Sequence, residues 1–146
     1  MGTTPAAQMR PLQRLIGTWL TEGVLMKRGK PTDIRFSFFD RYEWLPGGHF
    51  IAHTVNGELG RVSLQGLEII GYDGRVLRAT SYDSLGIVTH YRPRLKDRTW
   101  SLKGTKERFL GAFTSDNKRL DGVWERRNSH GEWHATMQVT LTRIGA

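Results

Sequence analysis

The segment DRYEWLPGGHFIAH, residues 40–53, decides the fold. Polar and aromatic side chains alternate as far as Trp44, the chain passes through Pro46-Gly47-Gly48, and apolar residues resume at Phe50. Alternation with a period of two is typical of a half-buried strand, and glycine supplies the positive φ that tight turns need. The segment therefore predicts a β-hairpin that carries two histidines.

The register of this hairpin determines which way His53 points. A two-residue loop at Gly47-Gly48 pairs Tyr42 with His53 and turns His53 toward the aromatic side of the sheet. A three-residue loop from Pro46 to Gly48 pairs Tyr42 with Ala52 instead, and a shift of one residue sends every side chain to the other face. Two-residue turns are the commonest hairpin connections, which favours an inward His53.

Turn signals recur about every ten residues along the chain and predict an all-β fold. They lie at residues 28–31, 46–48, 56–57, 73–74, 83–86, 96–97, 104–105, 115–117 and 128–131. Short strands at regular spacing in one domain are typical of a sandwich or a barrel. We therefore expect a single antiparallel up-and-down β-barrel of about ten strands.

Only the N-terminal segment has the periodicity of a helix. Leu12, Leu15 and Ile16 follow Pro11 at helical spacing, and Gly17 can end the helix. One short N-terminal helix is therefore predicted, lying across one end of the barrel. The predicted organisation is a tail over residues 1–11 and one barrel domain over residues 12–144.

Composition restricts the class of protein. The 146 residues include no cysteine, which removes disulfides and thiolate chemistry. No apolar run approaches the ~20 residues of a membrane span, and the first residues do not resemble a signal peptide. We expect a cytoplasmic protein without a membrane partner.

The net charge of +8 raises the hypothesis of a nucleic-acid surface. Lysine and arginine are spread along the whole chain with acidic residues among most groups, which favours a solvated barrel exterior. No nucleic-acid partner is expected, although a basic surface stays open as a hypothesis whose binding would fall steeply with salt. A homodimer also stays open.

Asp40 is an anomaly on its strand. The predicted inner face carries Ile34, Phe36, Phe38, Tyr42 and Trp44, with Asp40 among them. A buried carboxylate must be paired or have a raised pKa. It could be a general base or ligand anchor, or it could form a salt bridge to an inward arginine such as Arg126 or turn outward at a bulge.

A barrel of this size leaves internal space, and aromatic walls with a few polar groups are typical of small-molecule pockets. In the last strand, Trp133, Ala135, Met137, Val139 and Leu141 are predicted to face inward. Glu68 is on a mixed face and receives no role. The predicted ligand-binding residues are Tyr42, Trp44, Tyr82, Trp124, Arg126 and Met137.

The histidines do not predict a metal site. His49 and His53 would lie about 13 Å apart on an extended strand, too far to hold one metal ion. A single histidine could ligate haem iron, so haem stays an alternative to the expected absence of a cofactor.

Several segments together carry a family resemblance. They are LIGTW (15–19), YEWLPGG (42–48), GLEIIGYD (66–73), GVWE (122–125) and MQVT (137–140). From about Leu12 to Ile144 the chain resembles a bacterial family of lipocalin-like domains of unassigned function, within the calycin superfamily. The resemblance implies a closed barrel with a cavity, in which Trp19 plugs one end and Arg143 packs over it. The last strand lacks the Arg-x-Tyr carboxylate clamp of fatty-acid-binding proteins, which does not favour a fatty-acid ligand.

Two functions remain. The first is a binding protein that holds an apolar or aromatic small molecule, which predicts a deep cavity without a catalytic pair in hydrogen-bond reach. The second is a barrel-type cyclase, isomerase or hydrolase that uses Asp40 and a histidine, with His53 as the candidate, as acid and base. It predicts that these two side chains converge in the cavity at about 2.6–3.2 Å or through one water.

Overall fold

A computed structural model describes residues 3–146, which form one 3₁₀ helix followed by ten strands. The helix covers Ala7–Leu15. The strands are β1 (Gly17–Lys27), β2 (Lys30–Trp44), β3 (Phe50–Leu59), β4 (Val62–Asp73), β5 (Val76–Asp83), β6 (Val88–Lys96), β7 (Thr99–Lys103), β8 (Glu107–Phe113), β9 (Arg119–Arg127) and β10 (Trp133–Gly145).

Each strand pairs antiparallel with the next one in the chain, and β10 pairs with β1 to close the barrel. The predicted all-β, ten-stranded antiparallel barrel with one short helix is confirmed. Successive hairpins alternate between the two ends of such a barrel. We call the end that holds the helix the closed end, and the end formed by the β1–β2, β3–β4, β5–β6, β7–β8 and β9–β10 connections the open end.

The N-terminal helix begins earlier than predicted. It starts at Ala7 and not after Pro11, and it is a 3₁₀ helix. Met9 is fully buried in the core, and the Ala6 amide donates to the Gly48 carbonyl at 2.9 Å. These contacts draw residues of the predicted tail onto the barrel, while Met1 and Gly2 lie outside the described residues.

The predicted turn at Asn56-Gly57 is wrong, because both residues lie within β3. The chain turns at Gly60, whose φ is +59°, between Leu59 and Val62. Gly57 has a packing role instead, since a Cβ there would lie 2.6 Å from the Phe38 Cα of the neighbouring strand. An Asn-Gly pair therefore marks close strand approach here.

The predicted inner face of β10 is correct only in part. The register between β10 and β9 shifts between Ala135 and Met137, which is a β-bulge. A bulge reverses the alternation of side chains beyond it. Met137 consequently pairs with Trp124 on the inner side. Trp133 lies on the outer side, where the centroid of its ring is 4.2 Å from the guanidinium carbon of Arg108.

Candidate functional site

The hairpin of β2 and β3 holds the register that turns His53 inward. Tyr42 pairs with His53 and Trp44 with Ile51, as the two-residue-loop alternative requires. The turn itself is wider, because the Leu45 amide donates to the Phe50 carbonyl at 2.8 Å and the residues between them form the loop. Gly47 and Gly48 both have positive φ, which explains why the loop needs glycine there.

Tyr42, His53 and Glu68 lie side by side on three adjacent strands. Tyr42 pairs with His53 across β2 and β3, and His53 pairs with Glu68 across β3 and β4. The Tyr42 and His53 rings are stacked with centroids 3.9 Å apart and planes 10° apart. The sheet register alone therefore delivers an aromatic ring, an imidazole and a carboxylate to one place.

His53 is held between two carboxylates. Its Nε2 lies 2.6 Å from Asp40 Oδ1, and its Nδ1 lies 2.9 Å from Glu68 Oε1. The hydroxyl of Thr21 donates to the other Asp40 oxygen at 2.5 Å. Since a carboxylate accepts, both ring nitrogens must carry protons to make both bonds, so His53 is an imidazolium. We call Asp40, His53 and Glu68 the charged cluster.

The two carboxylates of the charged cluster determine the protonation of His53 and Tyr42. Burial lowers the pKa of His53, but hydrogen bonds from its ring to Asp40 and Glu68, with their charges, outweigh burial and raise it to about 9. Burial, followed by the charges of Asp40 and Glu68, raises the pKa of Tyr42 well above its usual value. At neutral pH the site thus holds a protonated histidine beside a neutral tyrosine.

The cluster opens onto a cavity of about 310 Å³ inside the barrel. Aromatic rings form much of its wall, and Trp124 lies within 5.7 Å of Tyr91 and 5.2 Å of Phe109 between ring centroids. Small-molecule sites usually have about 300–1,000 Å³ and an apolar wall with a few polar groups. The cavity is at the small end of that range.

The entrance lies at the open end. Leu85, in the β5–β6 connection, and Glu107, at the start of β8, both line the cavity. The ladder between β6 and β7 extends only from Arg92 paired with Lys103 to Lys96 paired with Thr99. The first residues of β6 therefore continue beyond β7, which leaves the wall lower on this side.

The structure brings together five of the predicted site residues. Asp40, Tyr42, His53, Trp124 and Met137 all line the cavity. Asp40 and His53 are in direct contact at 2.6 Å, which is the geometry that the enzyme hypothesis predicts, whereas the binding hypothesis predicts no such pair within hydrogen-bond reach. Asp40 pairs with His53 and Thr21, so the salt bridge to Arg126, one of the alternatives for Asp40, does not form.

Three predicted pocket residues lie elsewhere. Tyr82 is half exposed on the outer face, because its neighbours Ser81 and Asp83 are the β5 residues that point inward. Trp44 packs at the closed end, where its indole donates to Gln13 at 2.9 Å. Arg126 is mostly exposed at the open end and pairs with Glu107 at 3.5 Å.

The two residues predicted to close the barrel are in contact at the closed end. The guanidinium carbon of Arg143 lies 4.1 Å from the centroid of the Trp19 ring. Arg143 also donates to the carbonyls of Arg14 and Ile16 at the end of the helix, where the Arg14 carbonyl accepts a second bond from Asn117 Nδ2. Trp19 donates to the Leu15 carbonyl at 2.9 Å, so the plug is tied to the helix from both sides.

The site geometry bears on metals and haem. Among residues 3–146, no three His, Cys, Asp or Glu side chains converge in a way that could hold a metal ion. Both ring nitrogens of His53 are engaged by carboxylates, so iron ligation by His53 would break one of those bonds.

None of the helices in residues 3–146 is both long enough and apolar enough to span a bilayer.

The main residue of the candidate site that the sequence did not predict is Glu68. Its alternation with Ile70 was visible, but the turn predicted at Asn56-Gly57 would have paired His53 far from it. With the turn at Gly60, the same counting along β3 and β4 places Glu68 opposite His53. The position of Glu68 therefore depends on the register between β3 and β4, which the position of one turn determines.

Comparison with known proteins supports the fold. No family model matches the chain, and no curated protein matches it. Among solved structures, the crystal structure of Rv2717c from M. tuberculosis is similar, with a TM-score of 0.63 over 97% of this chain and 99% of that chain at 11% identity. At that identity the likeness shows a shared barrel fold alone, and the resemblance to lipocalin-like domains stays a prediction.

Proposed function

We propose that this protein is a lipocalin-like binding protein that holds a small hydrophobic molecule inside the barrel. The observation that carries the proposal is the internal cavity of about 310 Å³, walled by aromatic rings and containing the charged cluster. Apolar walls supply binding free energy, at about 25 cal/mol per Å² of ligand surface removed from water. The polar groups in the wall orient the ligand.

Occupying the cavity from within tests this function. The neutral fluorescent probe N-phenyl-1-naphthylamine should bind the wild-type chain, and Met137→Trp should weaken its binding because the larger ring occupies part of the cavity. Gln138→Trp places the same ring on the outer face of β10 and should leave binding unchanged. Circular dichroism establishes that both variants are folded. Equal binding to both variants would place the probe outside the barrel and refute the proposal.

An acid–base enzyme is the second candidate, and the contact of 2.6 Å between His53 Nε2 and Asp40 Oδ1 favours it. With a pKa of about 9, His53 is protonated at neutral pH and suits a general acid better than a general base. To donate its proton to a substrate, the ring must release one of its two carboxylates. This clamping is why we place binding first.

Hydrolysis of p-nitrophenyl esters and isomerisation of unsaturated ketones can test the second candidate. Asp40→Asn should abolish any turnover, while Asp33→Asn, an exposed change on the same strand, should leave it unchanged. Turnover that survives Asp40→Asn would exclude this mechanism. Ligand binding should survive in the Asp40→Asn variant if the protein is only a carrier.

A further inference from the structure

The charge of the cavity is opposite to the charge of the chain. The sequence has 22 Lys and Arg against 14 Asp and Glu. Yet the charged residues that line the cavity are four carboxylates, and among the described residues no Lys or Arg lines it. They are Asp40, Glu68, Asp83 and Glu107. His53 is the one cationic group in the wall within residues 3–146.

The charged cluster has an uncompensated negative charge. Its imidazolium is bonded to two carboxylates, so with both ionised the cluster has a formal charge of −1. Burying an unbalanced charge is costly unless a partner of opposite sign is supplied. An anionic ligand would increase this cost, whereas a cationic ligand would cancel it.

One oxygen of the cluster is free to accept a further hydrogen bond. Asp40 uses both oxygens, toward His53 and Thr21, and Glu68 uses Oε1 toward His53. Glu68 Oε2 has no hydrogen-bond partner among the described residues, and Glu68 lines the cavity. An oxygen without a partner, on a carboxylate that lines the cavity, fits a donor from the ligand, and a charged donor gives the stronger bond.

The wall beyond the cluster also suits a cation attached to an apolar body. Tyr91, Phe109 and Trp124 surround the cavity, and the faces of such rings attract ammonium groups. Glu107 and Asp83 stand nearer the entrance. They are partly engaged, Glu107 with Arg126 and Asp83 with the amides of Leu85 and Ile87. Selectivity should therefore come mainly from Glu68.

We propose that the cavity selects a small hydrophobic amine, bound as its ammonium ion with the nitrogen at Glu68 Oε2 and the apolar body against the aromatic wall. This inference rests on the proposed binding function and specifies its ligand class. It also separates this cavity from one built for fatty acids, where a cationic side chain would be needed for the carboxylate.

Three ligands with one skeleton test the inference at pH 7 by calorimetry. They are 2-naphthylmethylamine, 2-naphthylmethanol and 2-naphthoic acid. The amine should bind about 10- to 100-fold more tightly than the alcohol, as a charged hydrogen bond in a buried site implies, and the acid should bind more weakly than both. If none of the three binds, the proposed binding function itself fails for ligands of this size. If the alcohol or the acid binds as tightly as the amine, the binding function stands and amine selectivity is overturned.

A matched pair of variants assigns the selectivity to its residue. Glu68→Gln keeps the shape of the side chain and removes its charge, so it should reduce the preference for the amine over the alcohol by about tenfold or more. Glu43→Gln makes the same change at an exposed position of β2 and should leave the preference unchanged. Circular dichroism and the affinity for the alcohol report whether the Glu68 variant remains folded. An amine preference that survives Glu68→Gln undiminished would overturn the assignment.

Discussion

The closed end and the cavity of the barrel use buried polar groups in opposite ways. At the closed end, Trp19 and Arg143 donate to backbone carbonyls of the helix, and Met9, Leu15 and Ile51 fill the remaining space. Around the cavity, Asp40, His53 and Glu68 are buried as charges beside open space. The first arrangement stabilises the fold. The second places charges beside open space, where no packing requires them, which indicates a role other than packing.

The difference makes a general point about barrels of this kind. Successive side chains of a strand point alternately into and out of the barrel, so the same alternation supplies the inward residues of both the plug and the cavity. What separates the two ends is whether inward positions are filled. Substitutions that affect the two regions differently can therefore test whether one end is structural and the other functional.

The largest effect is expected at the plug. Trp19→Ala should lower the free energy of unfolding by about 3–5 kcal/mol, because a fully buried ring is lost and a void remains. Urea denaturation measures it. Phe39→Ala removes an exposed ring from the outer face of β2 and should change the free energy of unfolding by no more than about 0.5 kcal/mol. A loss for Trp19→Ala close to that of the control would mean that this end is not the structural one.

The charged cluster in the cavity should make the free energy of unfolding depend on pH. The pKa of His53 is about 9 in the fold and 6.5 for the free side chain, so the fold binds this proton more tightly than the unfolded chain does. A raised pKa stabilises the fold fully below about pH 6.5, and the contribution disappears as the pH rises through about 9. The loss should be about 3 kcal/mol in the free energy of unfolding, from the linkage of a shift of this size.

Urea denaturation at pH 6 and at pH 10 measures this loss. The polar groups that face the His53 ring are those of Asp40, Glu68, Tyr42 and Thr21. His53→Gln should remove most of the pH dependence and lower stability at pH 6, because two buried carboxylates lose their cation. His90→Gln, on the outer face of β6, should retain it. Parallel pH profiles for wild-type and His53→Gln proteins would contradict the doubly bonded imidazolium.

The sequence supports much of this comparison, but not evenly. Ten strands, the hairpin at Gly47-Gly48 and the inward face of Asp40 follow from turn residues and alternation, which are local properties. Glu68 does not follow, because its place opposite His53 depends on where β3 ends. The inward orientation predicted for Trp133 is wrong for a similar reason. A bulge between Ala135 and Met137 turns Trp133 to the outer face, and the sequence composition does not indicate the bulge.

A further test at the closed end concerns the shape of Arg143. Arg143→Lys keeps the charge but loses the planar fork that reaches Arg14, Ile16 and the ring of Trp19. The expected loss in the free energy of unfolding is about 1–2 kcal/mol, measured by urea denaturation. Arg119→Lys changes an exposed pair with Asp121 and should cost far less, since such pairs contribute about 0–1 kcal/mol. Equal losses would mean that the fork has no special role.

Two glycines allow the most direct test, because they share a backbone conformation and lie at opposite ends. Gly48 at the closed end has φ +71°, and Gly60 at the open end has φ +59°. Replacing either glycine with alanine should cost about 1 kcal/mol in the free energy of unfolding, because an L residue is disfavoured in the left-handed region. At Gly48 the added Cβ would also lie 2.7 Å from the Pro5 Cα, whereas at Gly60 the nearest atom is Ile34 Cγ2 at 3.4 Å. Urea denaturation should therefore show a loss for Gly48→Ala that exceeds the loss for Gly60→Ala by about 1–2 kcal/mol, the added cost of overpacking. Equal losses would mean that the N-terminal segment does not pack on the β2–β3 turn, and that the closed end depends on its plug alone.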